Sequence, residues 1–216
     1  MEEGRFTTQD FAALDDVSRE TFADFEQYSS LLSKWNRTIN LVSPKAAEDF
    51  WGRHALDSWQ LAAHIPENAQ KLLDLGSGAG FPGIAIAIAC KQRGQGHVTL
   101  VESAGKKAMF LRTVIRELGL PADVWADRAE KCSSEPCDII TARAFAPLPR
   151  LLGYAHPFWG KGTTALLLKG QGVSDELTEA AKTWIYKENQ WASRSDPTGV
   201  ILQIKGLAPR SDPEAQ

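Results

Sequence analysis

Residues 72–83, Leu-Leu-Asp-Leu-Gly-Ser-Gly-Ala-Gly-Phe-Pro-Gly, constrain this chain more than any other stretch. Four apolar or buried-strand positions run straight into a loop holding Gly76, Gly78, Gly80 and Gly83. An apolar segment follows at helical length. Glycines at this density permit a tight strand-to-helix turn and let backbone approach a ligand, while the helix that follows turns its free N–H groups into the same crevice. Such a junction belongs to a parallel α/β sheet with a ligand at the carboxyl ends of its strands.

The rest of the chain agrees with that architecture. Short apolar runs at 72–75, 98–101, 124–126, 139–142 and 165–168 read as strands buried on both faces. Between them, 83–90, 105–118, 148–155 and 174–182 read as helices, so right-handed βαβ units are expected. The rhythm breaks at the end, where 184–191 and 200–205 are extended segments joined by the turn-rich stretch 193–199 and read as an antiparallel pair. Before residue 70 only helices are expected. One spans 18–37 with Ser18 as its cap, one opens at Ser43-Pro44, and one covers 53–65. The expected division is therefore an N-terminal helical extension (1–69), an α/β domain that carries the glycine loop (70–207) and a polar tail (208–216).

With 216 residues there is room for one α/β domain and a modest extension. No apolar run approaches the roughly 20 residues that span a bilayer, and the acidic start lacks the features of a secretion signal, so a cytoplasmic protein without membrane contact is expected. Cys90, Cys132 and Cys137 form no CxxC pair and no cluster with histidine, so neither a disulfide nor a metal site is expected. The net charge of −3 is unevenly spread. Residues 1–70 carry 6 basic against 12 acidic side chains, 71–169 carry 13 against 8, and 170–216 carry 5 against 7. The basic middle is compatible with a polyanionic partner.

Two ligands compete for the glycine loop. Gly78 to Gly83 matches the GxGxxG of a dinucleotide site, and Glu102 stands about 20 residues beyond, where such a site places its ribose acceptor. Asp74 argues instead for S-adenosylmethionine, because a carboxylate beside the loop attracts that molecule's cationic amino-acid end and repels a pyrophosphate. The antiparallel end of the sheet points the same way. Glu102, closing the second strand, is the expected acceptor for both ribose hydroxyls, and 127–130 (Asp-Arg-Ala-Glu) borders the expected adenine position. At the end of the fourth strand, 141–147 reads Thr-Ala-Arg-Ala-Phe-Ala-Pro. It lacks the Asp/Asn-Pro-Pro-Tyr of exocyclic amino methylation, and Cys137 begins the strand, a strand length from the crevice.

With those residues in view, the chain resembles the RsmG (GidB) family of 16S rRNA guanine-N7 methyltransferases. The resemblance rests on 35–41 (Trp-Asn-Arg-Thr-Ile-Asn-Leu), 53–58 (Arg-His-Ala-Leu-Asp-Ser), 73–83 and 143–146 (Arg-Ala-Phe-Ala). It implies a class I S-adenosylmethionine-dependent methyltransferase, a Rossmann-like sheet of seven strands whose last pair is antiparallel, acting on one guanine of bacterial 16S rRNA or a small-subunit assembly particle. The expected cofactor contacts are Asp74, Gly76, Gly78, Phe81, Glu102, Ala129, Glu130 and Arg143, with Arg143 also positioning the acceptor. Phe145 is a candidate to stack on a base, and core packing is an equal reading of it. Arg53 and Lys169 are candidate RNA contacts, and Lys34, Arg37, Lys106 and Lys107 candidate members of a basic rim. Because guanine N7 carries an in-plane lone pair and no proton, in-line transfer requires neither a general base nor a thiolate. The alternatives are a methyltransferase of another RNA or of a small molecule, a NAD-dependent oxidoreductase, and a non-catalytic RNA-binding module on the same fold.

Overall fold

The computed structural model describes residues 5–43, 46, 48–133 and 135–210. Five strands lie parallel: β1 (Lys71–Leu75), β2 (His97–Val101), β3 (Ala122–Trp125), β4 (Cys137–Arg143) and β5 (Trp159–Lys169). Two more, β6 (Trp184–Ala192) and β7 (Val200–Pro209), close the sheet, with β7 antiparallel to both β5 and β6. The order is β3-β2-β1-β4-β5-β7-β6. Chain direction across the sheet therefore reverses between β1 and β4, which opens a crevice at the carboxyl ends of those two strands.

Helices cover both faces, and the period-2 alternation of each strand decides which layer a side chain joins. Leu72 and Ile139 point toward the layer built from α1 (Thr8–Ala12), α2 (Arg19–Asn36), the helical stretch 51–64 (α3), α4 (Gly83–Arg93) and α5 (Gly105–Leu118). Leu73 and Ile140 point the other way, toward α6 (Leu148–Ala155) and α7 (Val173–Ala180). From Gly83 to Cys90 every residue of α4 is buried, because the helix is held between the sheet and the N-terminal helices. A helix apolar all round has that environment. In α5 the buried residues Ala108, Leu111, Val114 and Leu118 recur at three- and four-residue steps, the spacing of one helical face. Among the described residues no helix is long and apolar enough to cross a membrane.

Several element boundaries differ from those expected. α1 was not expected. Its signal is a capping box in which the Thr7 hydroxyl accepts from the Asp10 N–H at 3.3 Å and the Asp10 carboxylate accepts from the Thr7 N–H at 2.7 Å. The expected helix at 53–65 is a π-helical turn Trp51–Leu56, an α-helical turn Asp57–Trp59 and a 3-10 turn Gln60–His64. Pro44 and Lys45, where another helix was expected to open, lie outside the described residues. β7 runs on to Pro209, two residues into the expected tail, because the pairing with β6 skips a residue between Ile185 and Lys187 and resumes beyond Gly206, whose φ is +64°. Residues 211–216 of that tail lie outside the description.

Candidate functional site

At the carboxyl edge of the sheet two cavities, of about 610 and 850 Å³, lie side by side. Their shared wall is Arg143, Ala144 and Phe145, where β4 leaves the sheet. Both volumes fall in the range of small-molecule sites.

The smaller cavity is built on the glycine loop. Gly76, Gly78 and Gly80 all have positive φ, so the loop folds back on itself as L side chains rarely allow. Two outside groups fix it. The Tyr28 hydroxyl, reaching in from α2, donates to the Ala79 carbonyl at 2.6 Å, and the Glu102 carboxylate accepts from the Gly78 N–H at 2.9 Å and the Ala104 N–H at 2.7 Å. Glu102 also lines the cavity. Ala129 and Glu130 line the far wall, Ala129 buried and Glu130 exposed. Gly78, Phe81 and Arg143 complete the expected set at this cavity.

One expected residue is placed differently. Asp74 lines neither cavity. It is fully buried beneath the loop, where its Oδ1 accepts from the Thr141 hydroxyl at 2.7 Å and its Oδ2 faces Gly83 at the start of α4. A Cβ on Gly83 would stand 2.6 Å from that oxygen, so glycine is required for the helix to come this close. Burial pushes the Asp74 carboxyl up to about 6, against the pull of its hydrogen bonds. Asp74 therefore sits beneath the loop, behind the wall of the smaller cavity. Gly76 does line the cavity, but the space above its Cα is taken by the chain itself: a Cβ there would stand 2.1 Å from the Phe145 ring.

Arg143 is the centre of the second arrangement. Its Nη1 donates to the Arg53 carbonyl at 2.9 Å and to Asp57 Oδ2 at 3.1 Å, and its Nη2 donates to His54 Nδ1 at 2.8 Å. The guanidinium also lies 5.0 Å from the Phe81 ring centroid, and the His54 ring stacks on Phe81 at 4.5 Å. Burial, reinforced by Arg143 and Arg53, lowers the His54 pKa to about 3, so the imidazole is neutral at physiological pH and its Nδ1 is an acceptor. His54 is thus committed to Arg143 and is no free base.

The larger cavity is walled by α3, the ends of β4 and β5, and the loop 193–199 between β6 and β7. Arg53 lines it with an exposed side chain whose guanidinium makes no hydrogen bond among the described residues. Lys169 lines it too, but its side chain is only 9% exposed and its Nζ is spent on Glu176 at 2.6 Å and the Ala146 carbonyl at 3.2 Å. The Lys169 ammonium is thus paired within the chain at the wall of the cavity. Of the expected rim, Lys107 borders the smaller cavity, while Lys34, Arg37 and Lys106 are exposed and line neither.

Residues not foreseen at the site include Leu41 and Val42, Arg150 and Tyr154. Leu41 and Val42 are brought there because the Asn36 side chain at the end of α2 accepts from both their N–H groups. An asparagine closing an amphipathic helix was the available signal. Tyr154 arrives through α6 and meets Phe145 with ring centroids 5.2 Å apart. No cysteine lines either cavity among the described residues. Cys137 begins β4 at the opposite edge of the sheet, its thiol pushed by burial up to about 12, and Cys90 is buried in α4.

Comparison with known proteins gives a single answer. The family model described as rRNA small subunit methyltransferase G matches residues 21–195. The chain is 46% identical over 202 residues to the ribosomal RNA small subunit methyltransferase G of Parvibaculum lavamentivorans, covering 93% of this chain and 89% of that one. It is 48% identical over 198 residues to the protein of that name from Rhodospirillum rubrum, covering 92% and 96%. Among solved structures, M. jannaschii TYW2 in complex with AdoMet superposes with a TM-score of 0.57 at 12% identity, over 76% of this chain and 80% of that one. The mitomycin 7-O-methyltransferase MmcR superposes with a TM-score of 0.58 at 10% identity, over 94% and 73%. Likeness at that identity speaks for the fold, which is that of class I methyltransferases.

Proposed function

Because the chain belongs to the GidB family, rRNA small subunit methyltransferase G, we propose that it methylates N7 of a single guanine in 16S rRNA, with S-adenosylmethionine as methyl donor. The observation that carries this reading is the pair of cavities meeting at Arg143, Ala144 and Phe145, one suited to a nucleoside and the other open to an acceptor.

The smaller cavity suits S-adenosylmethionine on three counts. Glu102 offers a strand-end carboxylate already oriented by two backbone N–H groups, the fit of a ribose with two hydroxyls to donate. The glycine loop presents backbone along one wall, and Ala129 with Glu130 borders the other, at the position expected for adenine. Phe81 and Arg143 make up the end nearest the second cavity. Bound there, S-adenosylmethionine supplies an electrophilic methyl group on a sulfonium.

The chain's own work is then positioning. Guanine N7 brings its own lone pair, so no residue has to remove a proton before attack, and the neutral, committed His54 and the remote cysteines fit that chemistry. Phe145 and Tyr154 present aromatic surface at the junction where a base would enter. Arg143 fixes the wall between donor and acceptor, and its guanidinium keeps a positive charge beside it. Arg53 is left to meet phosphate.

The test is to incubate the protein with methyl-labelled S-adenosylmethionine and small-subunit rRNA or particles from cells that lack the activity. N7 methylation places a positive charge on the ring, so mild reduction and aniline should cut the product at one guanosine. Label on an adenine, a ribose or C5 of a pyrimidine would overturn the proposal.

A further inference from the structure

We propose that Asp57 is a positioning residue that sets the width of the acceptor cavity by tying the β6–β7 loop to the Arg143 wall. The inference rests on the reading of the larger cavity as the acceptor site. Three elements meet at this one carboxylate. Oδ2 accepts from Arg143 at the end of β4 (3.1 Å), and Oδ1 accepts from the Ser195 hydroxyl in the loop (2.6 Å) and from Gln60, one turn along α3 (3.2 Å). The loop is further held through Gln60, which donates to Ser193 Oγ at 3.0 Å and accepts from the Arg194 N–H at 2.8 Å.

The loop's remaining hydrogen bonds are its own. Ser193 N–H donates to the Gly199 carbonyl, Gly199 N–H to the Asp196 carbonyl, and Thr198 to the Asp196 side chain. These keep its shape but do not say where it stands. Its place across the cavity is set by the contacts with Asp57 and Gln60. Only a carboxylate answers all the demands at position 57, since Arg143 brings charge while Ser195 and Gln60 bring two further donors. With side chains of Asp57 and Arg143 only 16% and 19% exposed, water does not readily substitute. Asp57 touches no reacting atom in this scheme. It acts through Arg143 on one wall and through Ser195 on the other.

Two variants separate the two ties. Ser195→Ala cuts only the loop side, and should raise the KM for the RNA several-fold while leaving kcat and S-adenosylmethionine affinity within twofold. Asp57→Ala cuts both, and should lower kcat as well. Asp57→Asn, which keeps one acceptor for Arg143, should recover part of kcat. In a double variant, Ser195→Ala should add nothing to the KM defect of Asp57→Ala, because the tie is already gone. Hydrogen exchange supplies a readout independent of any acceptor: amides of 193–199 should lose protection in Asp57→Ala while those of β1 and β4 keep theirs. An active native chain whose Ser195→Ala variant has an unchanged KM, or defects that multiply in the double variant, would overturn the inference. Unchanged exchange at 193–199 would do the same. A native chain that transfers no methyl to guanine N7 would instead refute the proposed function, with the exchange result still deciding whether the tie exists.

Discussion

Replacing Glu102 by Ala removes two things at once, and their sizes follow from its contacts. Its carboxylate accepts from Gly78 N–H at 2.9 Å and Ala104 N–H at 2.7 Å. Hydrogen bonds to a charged acceptor contribute about 1.5–3 kcal/mol each when nothing replaces them. Because Glu102 lines an open cavity, water can reach the freed N–H groups, and the cost to stability should fall to about 1 kcal/mol per bond, about 2 kcal/mol in total. The ligand loses its ribose acceptors and meets a looser loop, which should weaken S-adenosylmethionine binding by about 1–3 kcal/mol, roughly 5- to 150-fold in Kd. Glu102→Gln should recover little, because its amide nitrogen must confront one of two backbone donors. Calorimetric titration with S-adenosylmethionine, beside urea unfolding of the same variants, measures the two effects separately. An Ala variant that binds within twofold of the native chain would remove Glu102 from the ligand contacts, and unchanged unfolding would also refute its hold on the loop.

Gly76→Val should abolish S-adenosylmethionine binding, since φ is +68° and the new side chain would strike the Phe145 ring; normal binding by calorimetry would show that the loop is not the cradle. Arg53→Ala should lessen the slope of log RNA affinity against log salt by about 1, whereas Lys169→Met should leave the slope alone because its charge is paired with Glu176; equal changes in both would contradict that assignment. His54, with a pKa lowered from 6.5 to about 3, contributes stability that is present above pH 6.5 and is lost as pH falls toward 3. Asp74, raised from 3.8 to about 6, opposes it by favouring the fold as pH falls from 6 to 3.8. The two groups thus pull in opposite directions between pH 6 and 3.8, so His54→Gln should make any loss of stability with acid shallower, and an unchanged pH slope in urea unfolding would refute the cause. Replacing Cys90, Cys132 and Cys137 together by Ala or Ser should leave turnover within a few-fold, and loss of activity in a folded triple variant would revive a covalent mechanism.

What the sequence made legible was local. The run 72–83 announces strand, turn and helix in twelve consecutive residues, and it carries the smaller cavity with it. Ser18 declares the start of α2, and its hydroxyl accepts from the Thr21 N–H at 3.1 Å. What stayed hidden depends on partners that only the folded chain brings together. Lys169 reads as a free cation until Glu176 is brought against it by the return of the chain after β5. Asp74 reads as a ligand contact because its neighbours in sequence form the loop, yet Thr141 and Gly83 enclose it from the other side. Asp57 and Ser195 stand 138 residues apart and share one hydrogen bond that no periodicity encodes. The end of β7 was missed because Gly206 looks like a stop and is the site of a skipped residue within a continuing strand.

The layer in which α1, α2 and α3 share one apolar cluster with α4, α5 and the sheet has a practical meaning for anyone shortening this protein. Phe11, Phe25, Tyr28 and Trp59 are interior residues of the same core as Ile84 and Leu111, and the Tyr28 hydroxyl is a strut of the ligand loop itself. A fragment starting near residue 70 would carry every glycine of the loop and still present a raw apolar face to water, with the Ala79 carbonyl released from its donor. A shortened chain that keeps this core whole has to extend back through the first helix.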